Sequence, residues 1–512
     1  MPGSRDSSSE ELTFSEGRPP GSAEATRVVV DEVPIPANVQ VDLGGTADVE
    51  DGPEGGPDTE PSLAALRAEI LEKVAIYAQR RWPPQHYVPG KTPAPYAGRV
   101  FDEREVVSLV DSGLDFWLTS GRFCRQLEKG LAEFVGVSEC RLVNSGSSAN
   151  LVAFSTLTSP RLGDRRIRPG DEVITVAAGF PTTVAPAIQH GVVPVFVDVD
   201  PVTDNIDVTQ LASALSPRTK AVMIAHTLGN PFDIDAVQDF CEANNLWLVE
   251  DNCDGMGSEY TTRRKGVPET RRTGSFGHLA TSSFYPAHQM TTGEGGAVYT
   301  SNDELASIAE SIRDWGRDCY CQPGRSNTCG KRFEWCLGTL PEGYDHKYTY
   351  SHFGYNLKMT DMQAAVGVVQ LEKLPSFVEA RRRNFAYFRE RLSGLSDVLR
   401  LPEPTANAVP SWFGFLAVVK PGTPVTRDSL VAALEAARVQ TRMLFAGNLV
   451  RQPCFDEMRA TGSGFRQIGD LANTDRLMSD AFWFGVYPGM TEVHLDHICS
   501  TIEQHVAQHG IG

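Results

Sequence analysis

Hydrophobic and polar positions along the chain follow two regimes. Leu63, Leu66, Ile70, Val74 and Tyr77 recur every three or four residues, the period of a helix with one apolar stripe, and Pro83 and Pro84 end it. Helical patterns also cover 106–118 and 121–134. From residue 141 onward, short apolar runs occupy 141–143, 172–177, 193–199, 221–225, 246–250 and 280–285. Helix-sized segments such as 208–214 and 234–243 separate most of these runs, and a further strand is predicted over 296–300. Buried strands alternating with helices predict an α/β fold with a mainly parallel, doubly wound sheet. A long helical stretch over 361–395 predicts the passage from a large domain, 59–375, to a smaller C-terminal α+β domain, 376–512. In such sheets ligands collect at the carboxyl ends of the strands, where Ser147, Phe180, His226, Asp251 and His288 follow predicted strands.

Composition adds limits. Residues 1–58 are rich in Gly, Pro, Ser, Asp and Glu, which predicts a disordered acidic extension. No run of 18 apolar residues exists, so no membrane span is expected. The first residues lack the apolar core of a signal peptide, so a cytoplasmic chain is expected. A formal net charge of −18 argues against a nucleic-acid partner, because phosphate repels such a surface. Ten cysteines in a chain of this kind predict thiols or metal ligands rather than disulfides.

Several segments carry candidate chemistry, each with a plainer alternative. Ser145-Gly-Ser-Ser148 lies between a strand and a helix, where amides bind phosphate or a serine caps the helix. Glu250-Asp251 closes an apolar strand; a carboxylate there can hold a pyridine nitrogen protonated, or cap a helix. Phe180 can face a flat ring or pack in the core. Cys319-Tyr-Cys321 is followed by Cys329, and Cys253 stands two residues after Asp251. A single spacer is unusual for zinc, and four thiolates suit an iron–sulfur cluster equally well. Unrelated buried thiols remain the alternative.

Taken in order, these segments resemble the aspartate-aminotransferase fold (PLP fold type I) over roughly residues 85–505. Ser283-Phe-Tyr-Pro-Ala-His288, together with Gly293-Glu-Gly-Gly296, resembles the sugar aminotransferases that use pyridoxal phosphate (PLP). That family carries a cofactor-binding lysine where His288 stands. The resemblance implies that Ser147, Ser148 and Ser283 hold the phosphate, Phe180 stacks on the ring and Asp251 pairs with its nitrogen. It places Asp254 near the ring hydroxyl, where the family usually has Gln or His. It gives Asn356 a contact to the phosphate of a neighbouring subunit, hence a homodimer. Without the lysine, the cofactor is expected to be non-covalent pyridoxamine phosphate (PMP).

Three further segments, 313–321, 343–352 and 441–448, resemble the nucleotide-sugar 3-dehydrases of the DegT/DnrJ/EryC1/StrS family. That group uses PMP and a 2Fe-2S cluster to remove the 3-hydroxyl of an NDP-4-keto-6-deoxyhexose. The resemblance implies a lyase with His288 as the base for the C4′ proton and a cluster on Cys253, Cys319, Cys321 and Cys329. It also implies electrons from an external reductase or ferredoxin. A dTDP-linked 2,6-dideoxy sugar of antibiotic biosynthesis is favoured over a CDP-linked one. A sugar aminotransferase, an iron-free PMP dehydratase and a non-catalytic zinc-bearing interaction protein are the alternatives. The basic loop 261–272 and the Cys- and aromatic-rich stretch 304–350 are expected to be insertions.

Overall fold

The computed structural model describes residues 61–321, 327–335 and 337–510. The extension expected over 1–58 lies outside them. Among the described residues, a sheet of eight strands organises the fold. Its spatial order is Glu139–Val143, Gly296–Thr300, Leu279–Ser283, Trp247–Asp251, Thr219–Ala225, Glu172–Val176, Val193–Val197 and Arg466–Gln467. Strands from Leu279–Ser283 onward pair in parallel, whereas Gly296–Thr300 runs antiparallel between its two neighbours.

Side chains alternate across this sheet, and each face builds its own core. Val173, Met223, Val249 and Leu279 pack with the helices Gly146–Thr156 and Asp303–Arg313. Ile174, Val222, Ile224 and Leu248 pack on the other face with Ile234 and Val237 of the helix Ile234–Ala243. Burial on both faces explains why these strands read as continuous apolar runs rather than alternating ones. A second, four-stranded sheet joins Leu399–Arg400, Gly414–Val419, Ala481–Gly485 and Thr441–Arg442 in that order. The helices Arg427–Ala436 and Glu492–Gln508 pack on it. The helix Asp361–Arg391 contains Pro375 and continues past residue 376 without a break.

Four sequence expectations meet a different structure. The segment 208–214 is a short 3₁₀ turn, Val208–Gln210, and a single helical turn, Leu211–Ala214, with Pro217 close behind. The loop 261–272 is part of a hairpin, Glu259–Thr262 with Glu269–Arg272, extended by Ala408–Val409. The first part of 304–350 belongs to the capped helix Asp303–Arg313, whose Leu305, Ile308 and Ile312 are buried. The apolar stripe of the helix Leu63–Arg81 is largely exposed. That helix is held to Glu103–Asp115 by Arg67, which bridges Asp111 at 2.6 Å and Asp115 at 2.8 Å.

Candidate active site

The carboxyl ends of the parallel strands open into a cavity of about 680 Å³. Its wall includes Ser145, Ser147, Phe180, Asp251, Cys253, Asp254, Ser283 and His288. At one end, Ser145 caps the helix Gly146–Thr156: its Oγ accepts from the Ser148 N–H at 3.0 Å. The Ser145 hydroxyl also donates to Ser148 Oγ at 3.0 Å. Ser148 is thus engaged in the cap and does not line the cavity, while Ser147 does. The first amides of a helix have no intrahelical acceptor, so this end is built to receive an anion. A Cβ on Gly146 would sit 2.4 Å from Ser283 Cβ, so only glycine lets the helix start approach the strand end this closely.

Asp251 ends the strand Trp247–Asp251, with its carboxylate fixed on two sides. Oδ2 accepts from Asn150 Nδ2 at 2.8 Å and from Thr183 Oγ1 at 2.7 Å, and Oδ1 accepts from the Cys253 N–H at 3.2 Å. Asn150 is oriented in turn by Thr281, whose hydroxyl donates to Asn150 Oδ1 at 2.7 Å. The adjacent Glu250 faces away from this cavity. It accepts from His226 Nε2 at 3.0 Å and from the amides of Gly274, Phe276 and Gly277. Burial opposes the Glu250 charge, but His226 and these amides keep its carboxyl below the usual range. His226 is wholly buried, stacked on Phe232 at 4.5 Å, and is a structural group.

His288 Nδ1 lies 3.5 Å from Asp254 Oδ1 and has no hydrogen-bond partner among the described atoms. Burial pushes the imidazole down to about 4, against the attraction of Asp251. Burial, and then repulsion from Asp251, pushes the Asp254 carboxyl up to about 8. At pH 7 the two are a neutral pair rather than an ion pair. Arg381, 1% exposed, fixes the backbone here by donating to the carbonyls of His288 at 3.1 Å, Trp412 at 3.2 Å and Phe413 at 3.3 Å. Phe180 presents its ring to the cavity and meets Phe445 edge-on at 6.3 Å.

The C-terminal segments complete the wall with Phe413, Arg442, Met443, Phe445 and Trp483. Arg442 packs on the Tyr96 ring at 3.9 Å and is the cationic residue of the described lining. Asn150, Thr183, Arg381 and Tyr96 escaped the sequence reading of the site. Asn150 alone left a signal, one helical turn beyond Ser147 on the same face. Asn356 is exposed, pairs with Asp314 in an isolated bridge and does not line this cavity.

Three of the four cysteines expected to act together surround the His346 imidazole. His346 Nε2 lies 3.7 Å from Cys319 Sγ, 4.0 Å from Cys321 Sγ and 3.5 Å from Cys329 Sγ. Cys253 stands in the cavity wall. Burial, with Asp251 and Asp254 nearby, pushes the Cys253 thiol well up. The Cys321 thiol is instead pulled down to about 7, against burial, by hydrogen bonds involving Thr328, Cys329 and Cys319.

These residues fit a phosphorylated pyridine cofactor. The glycine-permitted helix terminus suits the phosphate, the braced Asp251 suits a protonated ring nitrogen, and Phe180 offers an aromatic wall. No lysine is among the described lining residues, so this wall offers no primary amine for a covalent bond to the cofactor.

Comparisons with known proteins agree with this geometry. The profile of the DegT/DnrJ/EryC1/StrS aminotransferase family matches residues 101–503. The lipopolysaccharide biosynthesis protein RfbH of Salmonella typhimurium is 52% identical over 439 residues, 86% of this chain and 98% of that protein. The dTDP-4-dehydro-2,6-dideoxy-D-glucose 3-dehydratase of Saccharopolyspora spinosa is 49% identical over 439 residues, 86% of this chain and 92% of that one. The E. coli GDP-4-keto-6-deoxy-D-mannose-3-dehydratase structure with bound hydrated PLP aligns with a TM-score of 0.70 at 26% identity. That alignment covers 80% of this chain and 99% of that one. The chain belongs to the DegT/DnrJ/EryC1/StrS aminotransferase family, and its fold is that of PLP fold type I.

Proposed function

We propose that this protein is a PMP-dependent 3-dehydratase that removes the 3-hydroxyl of a nucleotide-linked 4-keto-6-deoxyhexose. The observation that carries the proposal is His288. A partly buried imidazole stands in a cavity whose described wall holds no lysine. The dTDP-4-keto-2,6-dideoxyhexose is the favoured substrate, on the strength of the 49%-identical relative's activity. When bound, PMP supplies a primary amine for the sugar ketone and a ring that takes up electrons.

The chain's own residues do the rest. The Ser145–Ser147 helix end and Ser283 receive the phosphate, and Phe180 covers one side of the ring. Asp251, braced by Asn150 and Thr183, keeps the ring nitrogen protonated. With Nδ1 turned to Asp254, the His288 Nε2 is the atom left to take the C4′ proton. Arg442 is placed to meet the charged nucleotide portion of the substrate.

Loss of the 3-hydroxyl with retention of a saturated sugar needs two electrons. We assign their delivery to an iron–sulfur centre that Cys253, Cys319, Cys321 and Cys329 would hold, fed by an external reductase or ferredoxin. Asn356, exposed and away from its own cavity, has the placement that a contact to a second subunit of a homodimer requires.

The test separates the halves of the reaction. With PMP and substrate but no electron donor, wild-type protein is expected to exchange the C4′ hydrogen with solvent. His288→Asn is expected to slow that exchange by about 10²–10⁴-fold, the usual worth of a positioned base. Exchange at the wild-type rate in that variant would remove His288 from the role.

A further inference from the structure

Phe353 stands bare on a rigid turn. It is fully exposed, at 106%, although phenylalanine is among the residue types most often buried. Its neighbours are fixed. The His352 imidazole is held at both nitrogens, by Ser159 Oγ at 2.7 Å and Ser311 Oγ at 2.9 Å. The N–H groups of Ser351 and His352 donate to the Gly316 carbonyl at 3.1 Å and 3.3 Å. The Tyr355 N–H donates to the Ile312 carbonyl at 2.7 Å, and the Trp315 N–H to the Tyr355 carbonyl at 2.6 Å. Gly316 and Gly354 press together so closely that a Cβ on either would run into the facing backbone. Among the described residues, none covers the ring that this turn presents.

We infer that Phe353 reaches the cofactor cavity of a second copy of this chain, where its ring closes the cavity mouth against the bound nucleotide sugar. The inference rests on the homodimer and the substrate class proposed above, and adds a residue that completes each site.

Two observations select this occupant. The first is position along the chain. Asn356 is exposed, stays out of its own cavity and is proposed to reach a second subunit. Its bridge to Asp314 anchors it to the same frame as the Phe353 turn. Three residues span at most about 11 Å of chain. A chain that brings Asn356 to a neighbour's cofactor phosphate therefore brings Phe353 to the edge of the same cavity. Phe353 is not among the described residues lining its own cavity.

The second observation is the cavity edge itself. Phe180 and Tyr285 line the cavity and are 52% and 48% exposed in a single chain. One copy thus carries both an aromatic ring without cover and an aromatic edge without a neighbour. A twofold axis answers both at once, because the turn of each copy meets the cavity edge of the other. A ring on a turn already held in place loses little freedom on docking, and such aromatic anchors dominate interfaces.

Two experiments test the placement. In the first, Phe353 is replaced by the photoreactive p-benzoylphenylalanine, and this full-length chain is mixed with an excess of isotope-labelled wild type. Irradiation is expected to join residue 353 to a labelled peptide containing Phe180 or Tyr285. A cross-link confined to its own chain, or to a partner surface remote from the cavity, overturns the inference, as does a monomer in light scattering.

The second follows C4′ hydrogen exchange without an electron donor. Phe353→Ala is expected to raise the KM for the nucleotide sugar about 10- to 100-fold, the worth of burying one phenylalanine side chain, with little change in kcat. Phe353→Leu should recover most of that loss, and unchanged PMP affinity reports an intact fold. Hybrid dimers then say whose ring acts. In a hybrid of Phe353→Ala with His288→Asn, the cavity that keeps His288 receives Phe353 from the other chain, so a wild-type KM is expected. In a hybrid of wild type with the double variant Phe353→Ala/His288→Asn, the active cavity receives alanine, so the raised KM is expected. The reverse pattern, or a wild-type KM in Phe353→Ala itself, overturns the inference. Wild type that exchanges no C4′ hydrogen sinks the dehydratase reading instead, and the cross-link alone then decides where Phe353 sits.

Discussion

Replacing Asp254 by asparagine should stabilise the cofactor-free protein, by an amount that grows with pH. Asp254 is buried beside Asp251, and its carboxyl titrates at about 8 rather than in the ordinary range. An acid with a raised folded-state value favours the fold while both states hold the proton. That advantage erodes as pH rises above the unfolded value of about 3.9, until it levels off near the folded value. Between pH 5 and pH 8 the erosion is roughly three units at 1.36 kcal/mol each, or about 4 kcal/mol. Asparagine has the same shape and no proton to lose. For some 450 ordered residues, an unfolding entropy of about 2.1 cal/mol/K per residue makes 1 kcal/mol worth about 1 °C. Asp254→Asn should therefore gain about 4 °C more in thermal midpoint over wild type at pH 8 than at pH 5, read by calorimetry on cofactor-free protein. His288 acts in the opposite sense. Its lowered value makes stability full above about 6.5 and lost as pH falls toward 4. An Asp254→Asn difference that stays flat between pH 5 and 8, or shrinks, would refute a neutral, buried Asp254.

Glu250→Gln should lose about 1–3 kcal/mol at pH 7, since a charged acceptor of His226 and three amides is replaced by a neutral one. Because the Glu250 value is depressed, urea midpoints of variant and wild type should converge as pH falls through it. Gly146→Ala must displace Ser283, and should weaken PMP binding by about tenfold, about 1.4 kcal/mol, in a fluorescence titration; unchanged affinity would contradict the close-approach argument. Arg381→Met should cost about 3–5 kcal/mol in denaturant unfolding, because it strips donors from buried carbonyls on both sides of the cavity.

Much of the fold was legible in the chain because its signals are local. Apolar runs of strand length alternating with helical periods give a parallel α/β sheet. Asp251 and His288 were found as residues following predicted strands. The helix Leu63–Arg81 shows the limit of periodicity: its stripe is real, but nothing in a period says whether a neighbour will cover it. The segment 208–214 shows another limit, since a nearby proline cut a helical pattern to one turn.

By itself the sequence determined the order of strands and helices along the chain, the strand-end position of Asp251, and the histidine where relatives of this fold carry a lysine. The first two follow from local periodicity and turn residues, and the third from the resemblance of residues 283–296 to the sugar aminotransferases. The tertiary structure alone decided which groups share a site. Thr183 meets Asp251 across 68 positions of sequence. Arg381 reaches the His288 carbonyl across 93. The His346 imidazole comes within 4.0 Å of the sulfurs of cysteines 17 to 27 positions away. Such meetings depend on how sheets and loops pack in three dimensions, and chain spacing bounds only how far two residues can lie apart, not which ones touch.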